Sequence, residues 1–113
     1  AHVNFTSRPY YALNQKVTGG NNKSVYLEIK NANHFDSLNQ QYNITTQVPL
    51  FYYFSQALDR LYDYLKNGAK LPQSQVIRTV PTASADKRLP AIDSDETCPI
   101  TLTGEVLTIP ECN

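Results

Sequence analysis

The segment Ser24–Lys30 constrains the fold most, because apolar and polar side chains alternate along it. This alternation, with β-branched residues among its apolar positions, predicts a strand of about seven residues. Asn31, Asn33 and Asp36 follow at once, and such side chains bond to nearby backbone and favour turns. The pattern therefore predicts that His34 lies on a loop at the carboxyl end of a strand, where open α/β sheets place their reactive groups.

A histidine in that position has two interpretations. It can act as a general base or acid, because imidazole exchanges protons near neutral pH and the strand fixes where the ring points. It can also be a surface or turn residue, which is the commoner role of a lone histidine in a polar loop. The spacing alone leaves both interpretations of His34 open.

Two amphipathic helices are predicted, one before this strand in the chain and one after it. The first carries Tyr10, Leu13 and Val17 on one face and ends before the glycines at 19 and 20. The second runs from Pro49 to Lys66, and its apolar face comprises Leu50, Phe51, Phe54, Leu58, Leu61, Tyr62 and Leu65. We expect the aromatic run at 51–54 to pack against a sheet, with the lining of a hydrophobic pocket as the alternative.

The remaining segments have weaker patterns. Ser37–Gln47 is predicted to be an ordered polar loop that crosses the surface near His34. Val76–Val80 is a short extended run between prolines, which we expect to lie across the surface and not inside a sheet. Thr82–Glu96 is predicted to be a polar linker, and two short strands are predicted around Gly104.

Cys98 and Cys112 flank this predicted hairpin. A hairpin brings its ends together, so a disulfide is favoured, and closing a loop of about 15 residues stabilises a chain by roughly 3 kcal/mol. Such a bond predicts an oxidising compartment, whereas the alternative is two free buried thiols in a cytosolic protein. A zinc site is not expected, since no second pair of Cys or His residues stands at ligand spacing.

Length and charge limit the class of protein. The chain has 113 residues, enough for one domain but not for a complete doubly wound α/β enzyme. Ten basic and ten acidic residues balance, so we expect no nucleic-acid partner and no attraction to an anionic membrane. No apolar run approaches the length of a membrane span.

Four segments carry a resemblance to a known family. They are Ser7-Arg8-Pro9-Tyr10-Tyr11-Ala12-Leu13-Asn14, Tyr26-Leu27-Glu28-Ile29-Lys30-Asn31-Ala32-Asn33-His34-Phe35-Asp36, Val48-Pro49-Leu50-Phe51-Tyr52-Tyr53 with Gln56-Ala57-Leu58, and Leu71-Pro72-Gln73-Ser74-Gln75-Val76-Ile77-Arg78-Thr79-Val80-Pro81. In this order and spacing they resemble the C-terminal part of the bacterial D-(-)-3-hydroxybutyrate oligomer hydrolases, serine esterases related to the α/β-hydrolases. The resemblance runs from about residue 4 to residue 81.

The resemblance implies both a fold and an activity. The fold is α/β, the C-terminal piece of an α/β-hydrolase-like fold (helix, core strand, histidine loop, long helix) followed by an extended tail and a disulfide-closed β-hairpin. Residues 1–81 would belong to the catalytic domain, and 82–113 would be a linker and hairpin tail. A Ser-Asp-His triad would hydrolyse 3-hydroxybutyrate oligomers or dimers to monomer in polyhydroxybutyrate degradation, with His34 as the base and with no cofactor or metal.

The chain departs from this family in one respect. No Gly-x-Ser-x-Gly motif occurs, and the resemblance places the nucleophile and the triad acid upstream of residue 1. Asp36 is too near His34 in sequence to be the acid, and Asp59 and Asp63 are expected on the exposed face of the long helix. We therefore expect a C-terminal fragment of a larger extracellular or periplasmic ester hydrolase, inactive alone, whose partners are the remainder of that hydrolase and a small ester substrate.

Two other functions remain open. A secreted, non-catalytic binding module would use its tyrosines as a contact surface and would keep His34 far from any cleft. An assembly domain would bury His34 and associate through an extensive surface of its own. The exposure of the tyrosines and the surroundings of His34 distinguish these hypotheses from the hydrolase.

Overall fold

Helices and short strands follow one another along the chain in the computed structural model, which describes residues 3–20, 23–80 and 89–112. The elements are α1 (Ser7–Val17), β1 (Leu27–Ile29), α2 (Asp36–Gln41), α3 (Leu50–Asn67), β2 (Gln75–Ile77), β3 (Thr101–Thr103) and β4 (Val106–Thr108). The predicted mixture of helix and strand, with a disulfide, is therefore confirmed.

Strands β1 and β2 pair in parallel, with Leu27 opposite Gln75 and Ile29 opposite Ile77. Parallel neighbours need a crossover, which α2 and α3 supply here. The prediction that 76–80 lies across the surface was wrong, because Gln75–Ile77 is a buried strand. Pro72 precedes the paired residues and so removes no hydrogen bond from the ladder.

The first strand is shorter than predicted. Of the segment 24–30, only Leu27–Ile29 pairs with β2, which is itself a strand of three residues. Asn31 then adopts a positive φ of 59°, which turns the chain out of the strand direction. Beyond that turn, the Val48 N–H donates to the Asn31 carbonyl at 2.7 Å, forming an isolated parallel bridge.

Helices α1 and α3 contact opposite faces of β1. Tyr26 and Glu28 on one face contact α1, and Leu27 and Ile29 on the other face pack in the core with α3. The core comprises Val48, Tyr53, Ile77 and Ile92, with Leu27, Ile29, Ala32, Ala57 and Leu89 packed against it. Among the helices of the described residues, none has both the length and the apolar character to cross a membrane.

The helix bounds agree with the predictions, but the buried faces do not. Helix α3 begins after Pro49 and ends at Asn67, and the φ of +71° at Gly68 suits the residue after a helix. Tyr53 is the buried aromatic residue of this helix, whereas the predicted apolar stripe is mostly exposed. The predicted face of α1 is likewise exposed at Tyr10, Leu13 and Val17.

The polar segment after the histidine loop is not a loop throughout. Asp36–Gln41 forms helix α2, so the prediction of a loop over 37–47 was wrong for its first five residues. Its sequence lacks the apolar periodicity that identifies longer helices, and none of its residues is buried.

The C-terminal segment is part of the core. The predicted linker lies outside the described residues at 82–88, and over 89–96 the prediction was wrong because Ile92 is only 1% exposed. The Ile92 N–H donates to Gln56 Oε1 at 3.0 Å. The antiparallel hairpin of β3 and β4 is confirmed, with Gly104 at φ +63° in its turn.

Candidate functional site

His34 lies on an exposed loop between β1 and α2, as predicted. The loop is held by its own amides: the His34 N–H donates to Asn33 Oδ1 at 2.8 Å, and Asn33 Nδ2 donates to Asn39 Oδ1 at 3.1 Å. The chain after β2 supports the start of the loop, because Asn31 Nδ2 donates to the Thr79 carbonyl at 2.9 Å. The Thr79 hydroxyl donates in turn to the Lys30 carbonyl.

The imidazole ring of His34 has one neighbouring ring among the residues described, that of Phe35. It contacts the Phe35 ring edge to face, with 4.4 Å between the two centroids. Within residues 3–20, 23–80 and 89–112, no hydrogen bond to the imidazole of His34 is present. The ring nitrogens are therefore free to meet a proton donor and an orienting carboxylate.

A cleft of about 580 Å³ adjoins this ring. It lies between the histidine loop, β1 and α3, and its lining is Leu27, Ile29, His34, Phe35, Asp36, Ser37, Leu50, Phe51, Tyr53, Phe54 and Ala57. Most of these side chains are apolar, as in small-molecule sites that hold an uncharged ligand. The aromatic run at 51–54 therefore both packs against the sheet and lines a pocket. Tyr53 packs in the core, while Phe51 and Phe54 line the cleft.

The carboxylate nearest to His34 in sequence is already in use. Asp36 Oδ1 accepts the Leu50 N–H and Oδ2 accepts the Phe51 N–H, each at 2.7 Å. These are amides of the first turn of α3, which has no capping side chain of its own at Pro49. Asp36 thus caps α3 and interacts favourably with the positive end of its dipole. This role agrees with its exclusion as the triad acid.

The other excluded carboxylates are on α3. Asp59 is exposed, and Asp63 accepts a hydrogen bond from Asn67 Nδ2 at 2.6 Å one turn later. Among the described residues, no group of three or more His, Cys, Asp or Glu side chains is arranged to hold a metal ion.

An ion pair secures the opposite face of β1. Arg8 donates to Glu28 from Nε at 2.9 Å and from Nη2 at 2.7 Å, a bidentate arrangement. The Tyr26 hydroxyl donates to the same carboxylate at 3.0 Å. Burial raises the pKa of the Glu28 carboxyl, but hydrogen bonds from Arg8 and Tyr26 and the charges of Arg8 and Lys30 lower it, so the net pKa lies below its usual value.

The same contacts affect the two donors. The hydrogen bond to Glu28 raises the pKa of the Arg8 guanidinium. Burial, with the neighbouring Glu28 carboxylate, raises the pKa of the Tyr26 hydroxyl to about 12. This network joins α1 to the strand from which the His34 loop extends.

The predicted pairing of Cys98 with Cys112 is confirmed, with Cα atoms 6.3 Å apart. The segment that this bond closes is attached to the rest of the fold by Ile100, whose N–H donates to the Ser74 carbonyl at 2.7 Å, and by two side-chain contacts. Lys16 of α1 forms an ion pair with Glu105, and the Arg78 guanidinium donates to the Pro110 carbonyl.

Two contributors to the site had no usable signal in the sequence. Asp36 caps a helix that begins 14 residues later, and Thr79 supports a loop 49 residues earlier. Neither partner is within the local spacing from which capping motifs are identified.

Comparisons with known proteins agree on one family. The family model described as 3HB-oligomer hydrolase (3HBOH) matches residues 1–109, and so extends past residue 81 into the hairpin. A D-(-)-3-hydroxybutyrate oligomer hydrolase from Albidiferax ferrireducens is 43% identical over 105 residues, covering 92% of this chain and 15% of the relative. Proteins of the same name from Polaromonas naphthalenivorans and Paraburkholderia xenovorans are 49% identical over 80 residues and 38% identical over 112 residues.

The chain belongs to the 3HB-oligomer hydrolase family. The matches include 70–98% of this chain but only 11–16% of the length of the three relatives named above. No solved structure matches it.

Proposed function

We propose that this chain supplies the histidine base of a serine esterase that hydrolyses 3-hydroxybutyrate oligomers or dimers to monomer. The observation that carries the proposal is the position of His34, on a loop at the carboxyl end of β1 beside an apolar cleft of about 580 Å³. The relatives are named for hydrolysis of this oligomer, and a 3-hydroxybutyrate ester is small and carries methyl groups that suit an apolar cleft.

In the proposed mechanism, His34 transfers one proton in each half-reaction. It takes the proton of a serine hydroxyl as the oxygen attacks the ester carbonyl, and it returns the proton to the alcohol when the ester C–O bond breaks. Backbone N–H groups stabilise the oxyanion between these steps. A water molecule then attacks the acyl-enzyme in the same way, which releases the acid and regenerates the serine.

The serine and the triad acid come from the remainder of the hydrolase in this proposal. The chain contains no Gly-x-Ser-x-Gly motif, and the carboxylate of Asp36 is occupied by α3. The chain alone is therefore expected to be inactive. The complete fold would be α/β-hydrolase-like, which the parallel pair β1 and β2, joined through α3, supports.

The exposed apolar faces support the same partner. Tyr10, Leu13 and Val17 of α1 and Phe54, Leu58, Leu61 and Leu65 of α3 are all exposed. Contiguous apolar surface of this kind marks a contact with another protein segment. Because the named relatives extend well beyond the matched region, the remainder of the hydrolase is the proposed occupant.

An extracellular or periplasmic location is proposed from the disulfide. Bonds such as Cys98–Cys112 persist in oxidising compartments and are rare in the cytosol. Mass spectrometry of the protein from its source, alkylated before reduction, should find both cysteines unmodified by the alkylating reagent.

The substitution His34→Ala in the complete hydrolase tests the catalytic role. We expect kcat for a 3-hydroxybutyrate dimer to fall by about 10³-fold or more, because the general base is lost. The variant should still fold, as the thermal unfolding midpoint will show, since the imidazole makes no hydrogen bond within the described residues. Gln40→Ala, an exposed change on the neighbouring α2, is the matched control and should keep full activity. Activity of His34→Ala within about threefold of wild type would contradict the proposal.

The alternative of a non-catalytic binding module has one observation in its favour. Tyr10, Tyr42 and Tyr62 are exposed, as a tyrosine-rich contact surface requires. That hypothesis also requires His34 to lie far from any cleft, whereas His34 lines one. The hydrolase is therefore the better supported function.

A further inference from the structure

The outer edge of β1 is unpaired. The Tyr26 carbonyl accepts the Gln75 N–H and the Lys30 N–H donates to the Ile77 carbonyl, each at 3.0 Å, so the even-numbered residues face β2. Backbone groups alternate in direction along a strand, so the N–H and C=O groups of Leu27 and Ile29 point to the other edge. Those groups have no hydrogen-bond partner in the part of the chain that the structure describes.

The opposite side of the sheet is covered by the chain itself. All three residues of β2 are buried, whereas all three of β1 are only half-buried. The Ile100 N–H donates to the Ser74 carbonyl at 2.7 Å just before β2. The Gln75 side chain bonds to both backbone groups of Asp93. The chain therefore covers the β2 side of the sheet, although the outward backbone groups of Val76 have no hydrogen-bond partner among the described residues, and leaves the β1 side open.

The open edge lacks three of the features that protect edge strands, although β1 is short and contains Glu28. Leu27 and Ile29 carry no charge, β1 contains no proline, and it pairs with β2 in continuous register without a bulge. The opening is confined to β1, because past it the Asn31 carbonyl accepts the Val48 N–H. Unprotected parallel strands are usually found inside larger sheets that are covered on both faces.

Two open clefts lie near this edge, one beside each helix. One, of about 730 Å³, lies between α1 and residues 24–26, which precede β1, and is lined by Tyr10 and Tyr26 among others. The other, of about 580 Å³, separates β1 from Phe51 and Phe54 of α3. A strand added beside Leu27–Ile29 would lie between the two helices, with apolar side chains available to cover both of its faces.

We propose that the outer edge of β1 binds an extended strand from the part of the hydrolase that lies outside this chain. The inference rests on the proposed function for the existence of that larger protein. We assign the added strand to the remainder of the hydrolase because this chain covers only 15% of the relative from Albidiferax ferrireducens. The rest of such a protein is long enough to form further strands.

Residue-resolved hydrogen–deuterium exchange of the complete wild-type hydrolase tests this edge. The amides of Glu28 and Lys30 face β2 and serve as the internal control. If a strand adds to β1, the amides of Leu27 and Ile29 should exchange as slowly as that control, within about tenfold. Exchange at Leu27 and Ile29 at least about 100-fold faster than at Glu28 and Lys30 would overturn the proposal, because no ladder would then exist on that side.

Two further results separate the remaining explanations. Protection of Leu27 and Ile29 that disappears on dilution, together with a dimer in solution, would overturn the proposal in favour of a second copy. The same exchange pattern measured on His34→Ala separates this inference from the catalytic one. If that variant keeps its activity while Leu27 and Ile29 stay protected, the proposed chemistry fails and the strand pairing stands.

Discussion

At the scale of single residues, Glu28 is the charged group whose loss has the clearest consequence. Its side chain is 10% exposed and that of Arg8 is 27% exposed, so the bidentate pair is well shielded from water. We expect Glu28→Gln to lower the free energy of unfolding of the complete hydrolase by about 2 kcal/mol at neutral pH, because charge-assisted hydrogen bonds are lost. Denaturant unfolding of the two proteins measures the difference.

The pH dependence of that difference has a definite sign. The pKa of Glu28 is lower in the folded chain than its ordinary value of 4.5, so its contribution is complete above about pH 5. It should be lost as the pH falls below 4.5 and through the folded pKa, and the two unfolding free energies should then converge. Glu105→Gln is the matched control, since the Lys16–Glu105 pair is exposed and should change stability by less than about 0.5 kcal/mol. A constant difference from pH 7 to pH 3 would contradict the assignment.

The sequence predicted where His34 lies but not what holds it there. Asn31 and Asn33 identify a turn through their own short side chains, and the structure has that turn. Further hydrogen bonds, at the start of the loop, involve Thr79, which is brought close only by the pairing of β1 with β2. Local sequence cannot report such a contact, because it depends on the register of a strand far along the chain.

At the scale of elements, bounds were easier to predict than buried faces. Pro49 and Gly68 delimit α3 through their own backbone preferences, which need no tertiary contact. The face that packs on the sheet is that of Tyr53 and Ala57, although the stripe with Leu58 is more apolar. A helix with apolar groups around much of its circumference has more than one face suited to burial.

Strand β2 was misplaced because its flanking prolines predicted a surface position, whereas it is buried and begins with a buried amide. Gln75 is 2% exposed, and its Nε2 donates to the carbonyls of Asp93 at 2.7 Å and Gln73 at 3.0 Å while its Oε1 accepts the Asp93 N–H at 2.9 Å. Every polar atom of the side chain is therefore used, which is the condition for burying it. This amide attaches the C-terminal segment to the sheet.

Replacing that amide should detach the C-terminal segment. We expect Gln75→Leu to lower the free energy of unfolding by about 2 kcal/mol, because three hydrogen bonds are lost and the backbone of Asp93 loses its partner. The amides of Ile92 and Asp93 should then exchange faster with deuterium. Gln47→Leu, at an exposed position whose side chain makes no hydrogen bond within the described residues, is the control and should leave both quantities unchanged. Equal exchange in the two variants would show that other contacts hold the segment.

At the scale of the whole molecule, the described residues bury a small apolar core and leave many large apolar side chains exposed. Four core residues are buried in one cluster, while apolar side chains on α1 and α3 remain exposed. The unpaired edge of β1 adds polar backbone groups to that surface. Both kinds of group favour burial against further protein, the first through the hydrophobic effect and the second through hydrogen bonding. The faces of α1 and α3 and the edge of β1 therefore support the proposal that this chain packs against the remainder of the hydrolase.

The stripe on α3 provides the test of that conclusion. Leu58 is 53% exposed and Leu65 is 72% exposed, so in this chain alone their truncation to alanine should change stability by no more than about 0.5 kcal/mol. If the remainder of the hydrolase covers the stripe, Leu58→Ala and Leu65→Ala should each destabilise the complete protein by about 2–4 kcal/mol, because buried leucines leave cavities when truncated. Arg60→Ala, an exposed change between them, should have little effect. Unchanged unfolding of both leucine variants would mean that the stripe faces solvent in the complete hydrolase, and the partner proposed for α3 would then be wrong.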